Sequence, residues 1–232
     1  MSTIKFPYYY IVLLLSTVLL ASCGNNKQDQ TAKKTTGTSI AARPAAVIKA
    51  KNILFFGTSL TAGLGVDPEQ AYPALIQNKI DSLKLPYKVI NAGLSGETSA
   101  AGKSRLDWLL RQPVDIFVLE LGANDGLRGI PVKETEANMQ AVIDKVKAKY
   151  PKAKLILAGM QMPPSMGEKY TVPFKELFPA IAKKNKMDFI PFLLKGVGGI
   201  TRLIQPDGLH PTPEGHKILA ENVWIILRPD LQ

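Results

Sequence analysis

The stretch that most constrains the fold is 51–63, KNILFFGTSLTAG. Ile53, Leu54, Phe55 and Phe56 form an unbroken apolar run closed by Gly57. Such a run predicts a strand covered on both faces, as in a parallel sheet. Ser59 follows two residues later, on a turn whose small residues can open a helix. A polar group on the turn after a buried strand lies at the carboxyl edge of the sheet, where open α/β sheets bind ligands. Ser59 is then either an N-cap for the next helix or a nucleophile. This stretch alone leaves both readings open.

Downstream, strand and helix patterns alternate. Tyr72, Leu75, Ile76 and Ile80 recur at helical spacing within 68–83, with Pro73 in the first turn. A second strand is predicted over 87–92, running into Ser95-Gly96-Glu97-Thr98. A helix follows with Leu106, Leu109 and Leu110 on its inner face. A third strand at 115–121, DIFVLEL, ends in Gly122-Ala123-Asn124-Asp125. Met139, Val142, Ile143 and Val146 predict a helix over 132–149 that stops before Pro151. A fourth strand lies at 155–158, a helix at 173–184, a fifth strand at 187–191 and a last helix at 213–227. This alternation implies right-handed crossovers and a parallel sheet with helices on both faces. Trp108 and Trp224, both on helices, are expected in the core.

The N-terminal quarter is different in kind. Lys5 precedes an apolar run over 11–21, the length of a signal-peptide core and short for a membrane span. Leu20-Ala21-Ser22-Cys23 resembles the lipobox of bacterial lipoproteins, in which the cysteine is lipidated and becomes the mature N-terminus. Cys23 is the one cysteine of the chain. The organisation read from sequence is therefore a lipoprotein signal peptide over 1–23, a polar and basic flexible linker over 24–51, and a folded domain over 52–232. A lipid anchor on Cys23 implies a place in the bacterial cell envelope, facing the periplasm or the exterior.

The formal charge is +10, but seven of the 29 Lys/Arg and one of the 19 Asp/Glu fall within 1–52. With no basic patch interleaved with aromatics, nucleic acid is not an expected partner. One cysteine and two histidines, His210 and His216, offer no convincing metal ligand set, and no cofactor is expected.

Four polar points sit on strand-end or late loops: Ser59, Gly96, Asn124 and the pair Asp207/His210. Acyl transfer needs a nucleophile, a base, a group to orient the base, and donors for an oxyanion. Ser59, His210 and Asp207 supply the first three. The backbone N–H groups of Ser59 and Gly96 and the side-chain amide of Asn124 supply the donors. His216 reads as a packing or surface residue, Asp125 as a loop hydrogen-bonder, and Glu97 as a partner of a helix dipole. Met160, Met162 and Met166 are candidates to line an acyl pocket.

Gly57-Thr58-Ser59-Leu60, Ser95-Gly96-Glu97-Thr98, Gly122-Ala123-Asn124-Asp125 and Asp207-Gly208-Leu209-His210-Pro211 resemble, in order and spacing, the four blocks of the SGNH (GDSL) hydrolases. The stretch ELGANDGLRGIP at 120–131 looks most like the branch of thioesterase I, arylesterases and lysophospholipases. The resemblance implies a three-layer α/β/α sandwich, a flavodoxin-like parallel sheet of five strands in the order 2-1-3-4-5. It also implies a metal-independent serine esterase acting on acyl esters or thioesters, or on lipids. Its nucleophile, oxyanion donors, base and orienting Asp map onto Ser59, Gly96, Asn124, His210 and Asp207. Thr58 stands where the family usually has Asp, a residue outside the triad that helps hold the turn; a threonine there can hydrogen-bond locally. Other functions compatible with the blocks are O-deacetylation of a carbohydrate or cell-wall polymer and, without catalysis, ligand binding by an envelope lipoprotein. A monomer is expected.

Overall fold

The computed structural model describes residues 49–231. The predicted signal peptide, Cys23 and nearly all of the predicted linker lie outside the described residues. Five parallel strands, β1 (Lys51–Gly57), β2 (Tyr87–Gly93), β3 (Ile116–Leu119), β4 (Lys154–Ala158) and β5 (Asp188–Ile190), form one sheet in the order β2-β1-β3-β4-β5. β1 is an interior strand, with Leu54 in register with Ile90 on one side and Phe117 on the other. Ile53 to Phe56 are fully buried, as a strand covered on both faces requires.

Among the described residues, six α-helices lie between the strands, α1 (Ser59–Ala62), α2 (Tyr72–Ser82), α3 (Ser99–Leu109), α4 (Ala123–Leu127), α5 (Val132–Lys149) and α6 (Glu168–Asn185), and α7 (Pro213–Leu227) follows β5. α2 packs with α7, and α5 packs with both α3 and α6. Right-handed crossovers place the first pair on one face of the sheet and the other three on the opposite face, giving the three-layer α/β/α sandwich.

Three local features depart from the sequence pattern. α2 begins at Tyr72, because Asp67 and Gln70 close a separate capped turn and Ala71 is extended. α6 begins at Glu168 and runs through Pro173 and Pro179. Each proline forfeits one helical hydrogen bond and costs about 3 kcal/mol. Burial of Phe174, Leu177, Phe178 and Ile181 along the same helix outweighs that, at about 1.5–3 kcal/mol per side chain. Trp108 is not in the core; it is 67% exposed. Leu106, Leu109 and Leu110 define the buried stripe of α3, and a residue two positions from Leu106 points to the far side of the helix. Trp224 is half-buried against the core, with Lys79 Nζ 5.8 Å from its ring centre.

His216 is fully buried on α7, stacked on Tyr72. Its Nδ1 accepts from the Tyr72 N–H at 3.2 Å, and its Nε2 has no partner. The ring is therefore neutral with the proton on Nε2. Burial, and then the charge of His210, lower its pKa from 6.5 to about 4. Between those values the unfolded chain binds a proton that the folded chain does not, so acidification through this window removes stability, up to about 3 kcal/mol. The expected result is a urea midpoint that falls from pH 6.5 toward 4. In His216→Asn, whose Oδ1 replaces the Nδ1 acceptor, that fall should be distinctly shallower. An unchanged slope in the variant would show that other groups carry the acid sensitivity.

Candidate active site

The carboxyl ends of β1, β2 and β3 and the segment before α7 bring the sequence-predicted polar points together. Ser59 is the first residue of α1, directly after β1. Its N–H has no acceptor within the helix, as at every helix start. His210 arrives on a tight turn: Gln205 N–H donates to the His210 carbonyl at 2.7 Å and Gly208 N–H to the Gln205 carbonyl at 3.0 Å. Gly208 has φ +76°, a conformation that side chains with a Cβ rarely adopt.

Ser59 Oγ lies 2.8 Å from His210 Nε2, and His210 Nδ1 lies 2.6 Å from Asp207 Oδ2. The other oxygen of Asp207 accepts the backbone N–H groups of Leu209 and His210 at 2.9 and 3.0 Å. The His210 N–H, the Leu209 N–H and then the His210 ring lower the Asp207 pKa to about 2. An ionised Asp207 accepting from Nδ1–H leaves Nε2 as the basic nitrogen, facing Ser59.

Gly96 sits in the loop between β2 and α3 with φ +78°. Asn124 is in the first turn of α4, and its side-chain amide donates to the Glu97 carbonyl at 3.1 Å. Arg128 Nη2 donates to the Gly96 carbonyl at 3.0 Å. These bonds tie the two loops to each other. Glu97 does not serve the dipole of α3: its carboxylate is held by Arg105 Nε at 2.6 and 2.8 Å. Arg105 also donates to the carbonyls of Gly57 and Ala92 and lies over the Phe56 ring, so it staples the Ser59 turn to the Gly96 loop. Asp125 is buried in α4 rather than in a loop, and bonds Ser99 and Thr135 across to α3 and α5.

The residue that sequence reading missed is Glu120. It directly follows β3, fully buried, and its backbone still pairs with Phe56. Its carboxylate accepts from the N–H and hydroxyl of Thr58 at 2.8 and 2.9 Å and from those of Thr61 at 3.3 and 2.8 Å. The Thr58 side chain therefore does not bond locally; it reaches 62 residues along the chain. Burial pushes the Glu120 carboxyl up, and the four donors oppose that shift. The Tyr72 phenol, kept protonated by burial and then by the charge of Glu120, bonds Thr61 Oγ1 at 2.7 Å and extends the network. A Cβ on Gly57 would collide with Thr61 Oγ1 and stand 2.6 Å from Glu120 Oε2, so only glycine fits there. The available signal was one acid inside the apolar run IFVLEL, since an acid in a buried strand needs partners.

A groove of about 490 Å³ opens over Ser59, Asn124 and His210. Its walls are largely apolar: Leu127, Met160, Met162, Phe192, Leu194, Ile204 and Leu209. Met160 and Met162 line it as predicted, and Met166 does not. Among the described residues no group of three or more His, Cys, Asp or Glu is placed to hold a metal ion.

Residues 55–218 match the GDSL-like Lipase/Acylhydrolase family. Esterase TesA of Pseudomonas aeruginosa is 39% identical over 181 residues, 78% of this chain and 89% of that one. Thioesterase 1/protease 1/lysophospholipase L1 of Escherichia coli K12 is 35% identical, over 78% of this chain and 85% of that one. The crystal structure of the psychrotrophic esterase EstA from Pseudoalteromonas sp., inhibited by monoethylphosphonate, superposes with a TM-score of 0.73 at 33% identity, covering 78% of this chain and 98% of that one.

Two substitutions test the Glu120 network. Thr58→Val keeps the shape but deletes one hydroxyl donor to a buried carboxylate, and should cost about 1–3 kcal/mol of unfolding free energy. Thr58→Asp sets a second carboxyl against Glu120, and one of the pair must then hold a proton. A raised carboxyl pKa contributes stability at low pH that is lost as pH rises through it. Urea midpoints for Thr58→Asp should therefore drop from mildly acidic to mildly alkaline buffer relative to wild type. Parallel pH profiles for the two proteins would show that Glu120 does not sense position 58.

Proposed function

The chain belongs to the GDSL-like lipase/acylhydrolase family and is an ester-hydrolysing serine hydrolase; on that premise we propose that Ser59, His210 and Asp207 carry the reaction, with Ser59, Gly96 and Asn124 as the oxyanion donors. The observation that carries this assignment is the relay of short bonds from Ser59 Oγ through His210 to Asp207 on the floor of an apolar groove. His210 Nε2 takes the Ser59 proton as Oγ attacks the acyl carbon. The carbonyl oxygen gains negative charge and is met by the N–H groups of Ser59 and Gly96 and the Asn124 amide. Collapse expels the alcohol or thiol, which receives the proton from His210 Nε2. Water then attacks the acyl-enzyme, giving its proton to His210, and the carboxylic acid leaves as Ser59 regains its hydrogen. No step requires a metal.

The substrate class we propose is acyl esters and thioesters with apolar acyl groups, including lysophospholipid-like lipids. The apolar walls of the groove support it, and so do the names of the esterase and thioesterase/lysophospholipase relatives. All the proposed site residues come from one chain, which supports action as a monomer. We also propose that Cys23 is lipidated and holds the enzyme at the cell envelope; the support is the Leu-Ala-Ser-Cys sequence at the end of an apolar run.

A fluorophosphonate should label Ser59, and Ser59→Ala should abolish both labelling and hydrolysis of p-nitrophenyl esters. Asn124→Ala should fold and lose about 10²–10³ in kcat with little change in KM, because the donor meets charge that develops only in the transition state. Asp207→Asn should cost about 10⁴ by presenting the wrong imidazole tautomer. Labelling at another serine, or turnover that survives Ser59→Ala, would overturn the assignment. Membrane fractionation of Cys23→Ala tests the anchor separately: release, or failure of signal cleavage, is expected, and unchanged fractionation would contradict it.

A further inference from the structure

The folded domain is electrically polar along its strands. Five of the 29 Lys/Arg and one of the 19 Asp/Glu precede Lys49, so 24 cations and 18 anions belong to residues 49–232. The amino edge of the sheet is made of strand starts and helix ends, in the segments 49–52, 79–88, 107–115, 144–154, 183–188 and 221–231. These hold fifteen of the cations and seven of the anions. The rest of the domain, which includes the groove and Ser59, holds nine cations and eleven anions. The amino edge is thus strongly basic, and the rest of the domain, the catalytic end included, is slightly acidic.

Helix C-termini favour cations, and this accounts for lysines such as Lys149 and Lys183 in the last turns of α5 and α6. It does not account for Lys49, Lys51, Lys88 and Lys152, which are exposed on strand starts and loops. Of the fifteen cations, only Lys79, Lys145 and Lys154 form ion pairs with carboxylates among the described residues. The same edge carries three of the most exposed apolar side chains, Leu83 at 50%, Trp108 at 67% and Ile225 at 69%.

We propose that this amino edge is a docking surface for an anionic lipid bilayer. Lysines near such a surface each contribute attraction, and an exposed indole suits the headgroup region, where its ring and N–H find both environments. A polyanionic polymer would use the cations but leave Trp108, Ile225 and Leu83 without a role. The described chain also starts at this edge, through Lys49 to Lys51. The seven residues of β1 separate the two poles by about 23 Å at 3.3 Å per residue. That is about twice the ~10 Å range of surface charge at moderate salt. Docked this way, the groove opens away from the membrane beneath, and Ser59 takes its esters from the aqueous side.

The test uses the full chain with Trp224→Phe, so that Trp108 is the only tryptophan, on vesicles of brominated phosphatidylcholine with or without phosphatidylglycerol. Trp108 fluorescence should be quenched on the anionic vesicles at low salt and recover at high salt. Neutralising Lys149→Gln, Lys183→Gln and Lys184→Gln together should weaken the phosphatidylglycerol-dependent part about a hundredfold. Hydrolysis of a soluble p-nitrophenyl ester should be unchanged in that variant. Cys23→Ala should retain the dependence on phosphatidylglycerol, which separates this surface from the proposed lipid anchor. Quenching that ignores phosphatidylglycerol, or that survives the triple substitution, overturns the proposal. Tighter binding to heparin than to the anionic vesicles overturns it in favour of a polymer partner.

Discussion

One buried carboxylate holds the catalytic end of this molecule together. Glu120 is out of contact with solvent, and every partner it has in the turn is neutral: two N–H groups and two hydroxyls from Thr58 and Thr61. Removing a carboxylate from water costs several kcal/mol unless its lone pairs are filled. That penalty can be offset here only when the chain bends so that residues 58 and 61 both face β3. Ser59 lies between them, so the bend that satisfies Glu120 is also the bend that presents Ser59. The requirement extends to Gly57, where any side chain would occupy the space of the carboxylate and Thr61.

A second layer of polar bonds sets the remaining loops against that turn. Arg105 gathers the carbonyls of Gly57 and Ala92 and the carboxylate of Glu97, joining the ends of β1 and β2 to the loop that carries Gly96. Asp125 does the same for α3, α4 and α5, fixing the helix on which Asn124 sits. Neither residue touches the groove, whose floor is left to Ser59, Asn124 and His210. Donors of the proposed oxyanion hole would work only when held rigidly, since such groups act without reorganising as charge develops. The half-buried bonds of Arg105 and the buried bonds of Asp125 hold the loops from behind.

The sheet also separates tasks in space. Strand ends and helix starts gather at the carboxyl edge, where loops carry chemistry. Strand starts and helix ends gather at the other edge, where the chain has accumulated uncompensated lysines and an exposed tryptophan. A parallel topology makes the two edges chemically independent, so one can change without disturbing the other.

Much of this was legible in the residues. Apolar runs and 3.6-residue spacing located five strands and the long helices, because burial imposes those periods directly. The four polar blocks were visible as residue types in order, and the one serine after a buried strand marked the turn. What sequence alone did not decide were relations between distant segments. The pairing of Thr58 with Glu120, the turning of Glu97 toward Arg105 and the outward face of Trp108 depend on which elements become neighbours. Pro173 reads locally as a helix start, yet α6 begins five residues earlier, at Glu168, and passes through Pro173 as well as Pro179, because the core it covers outweighs two lost bonds. Periodicity is a one-dimensional property and survives in the sequence. Satisfaction of a buried charge is a three-dimensional one, and only the packed sheet determines which groups fill it.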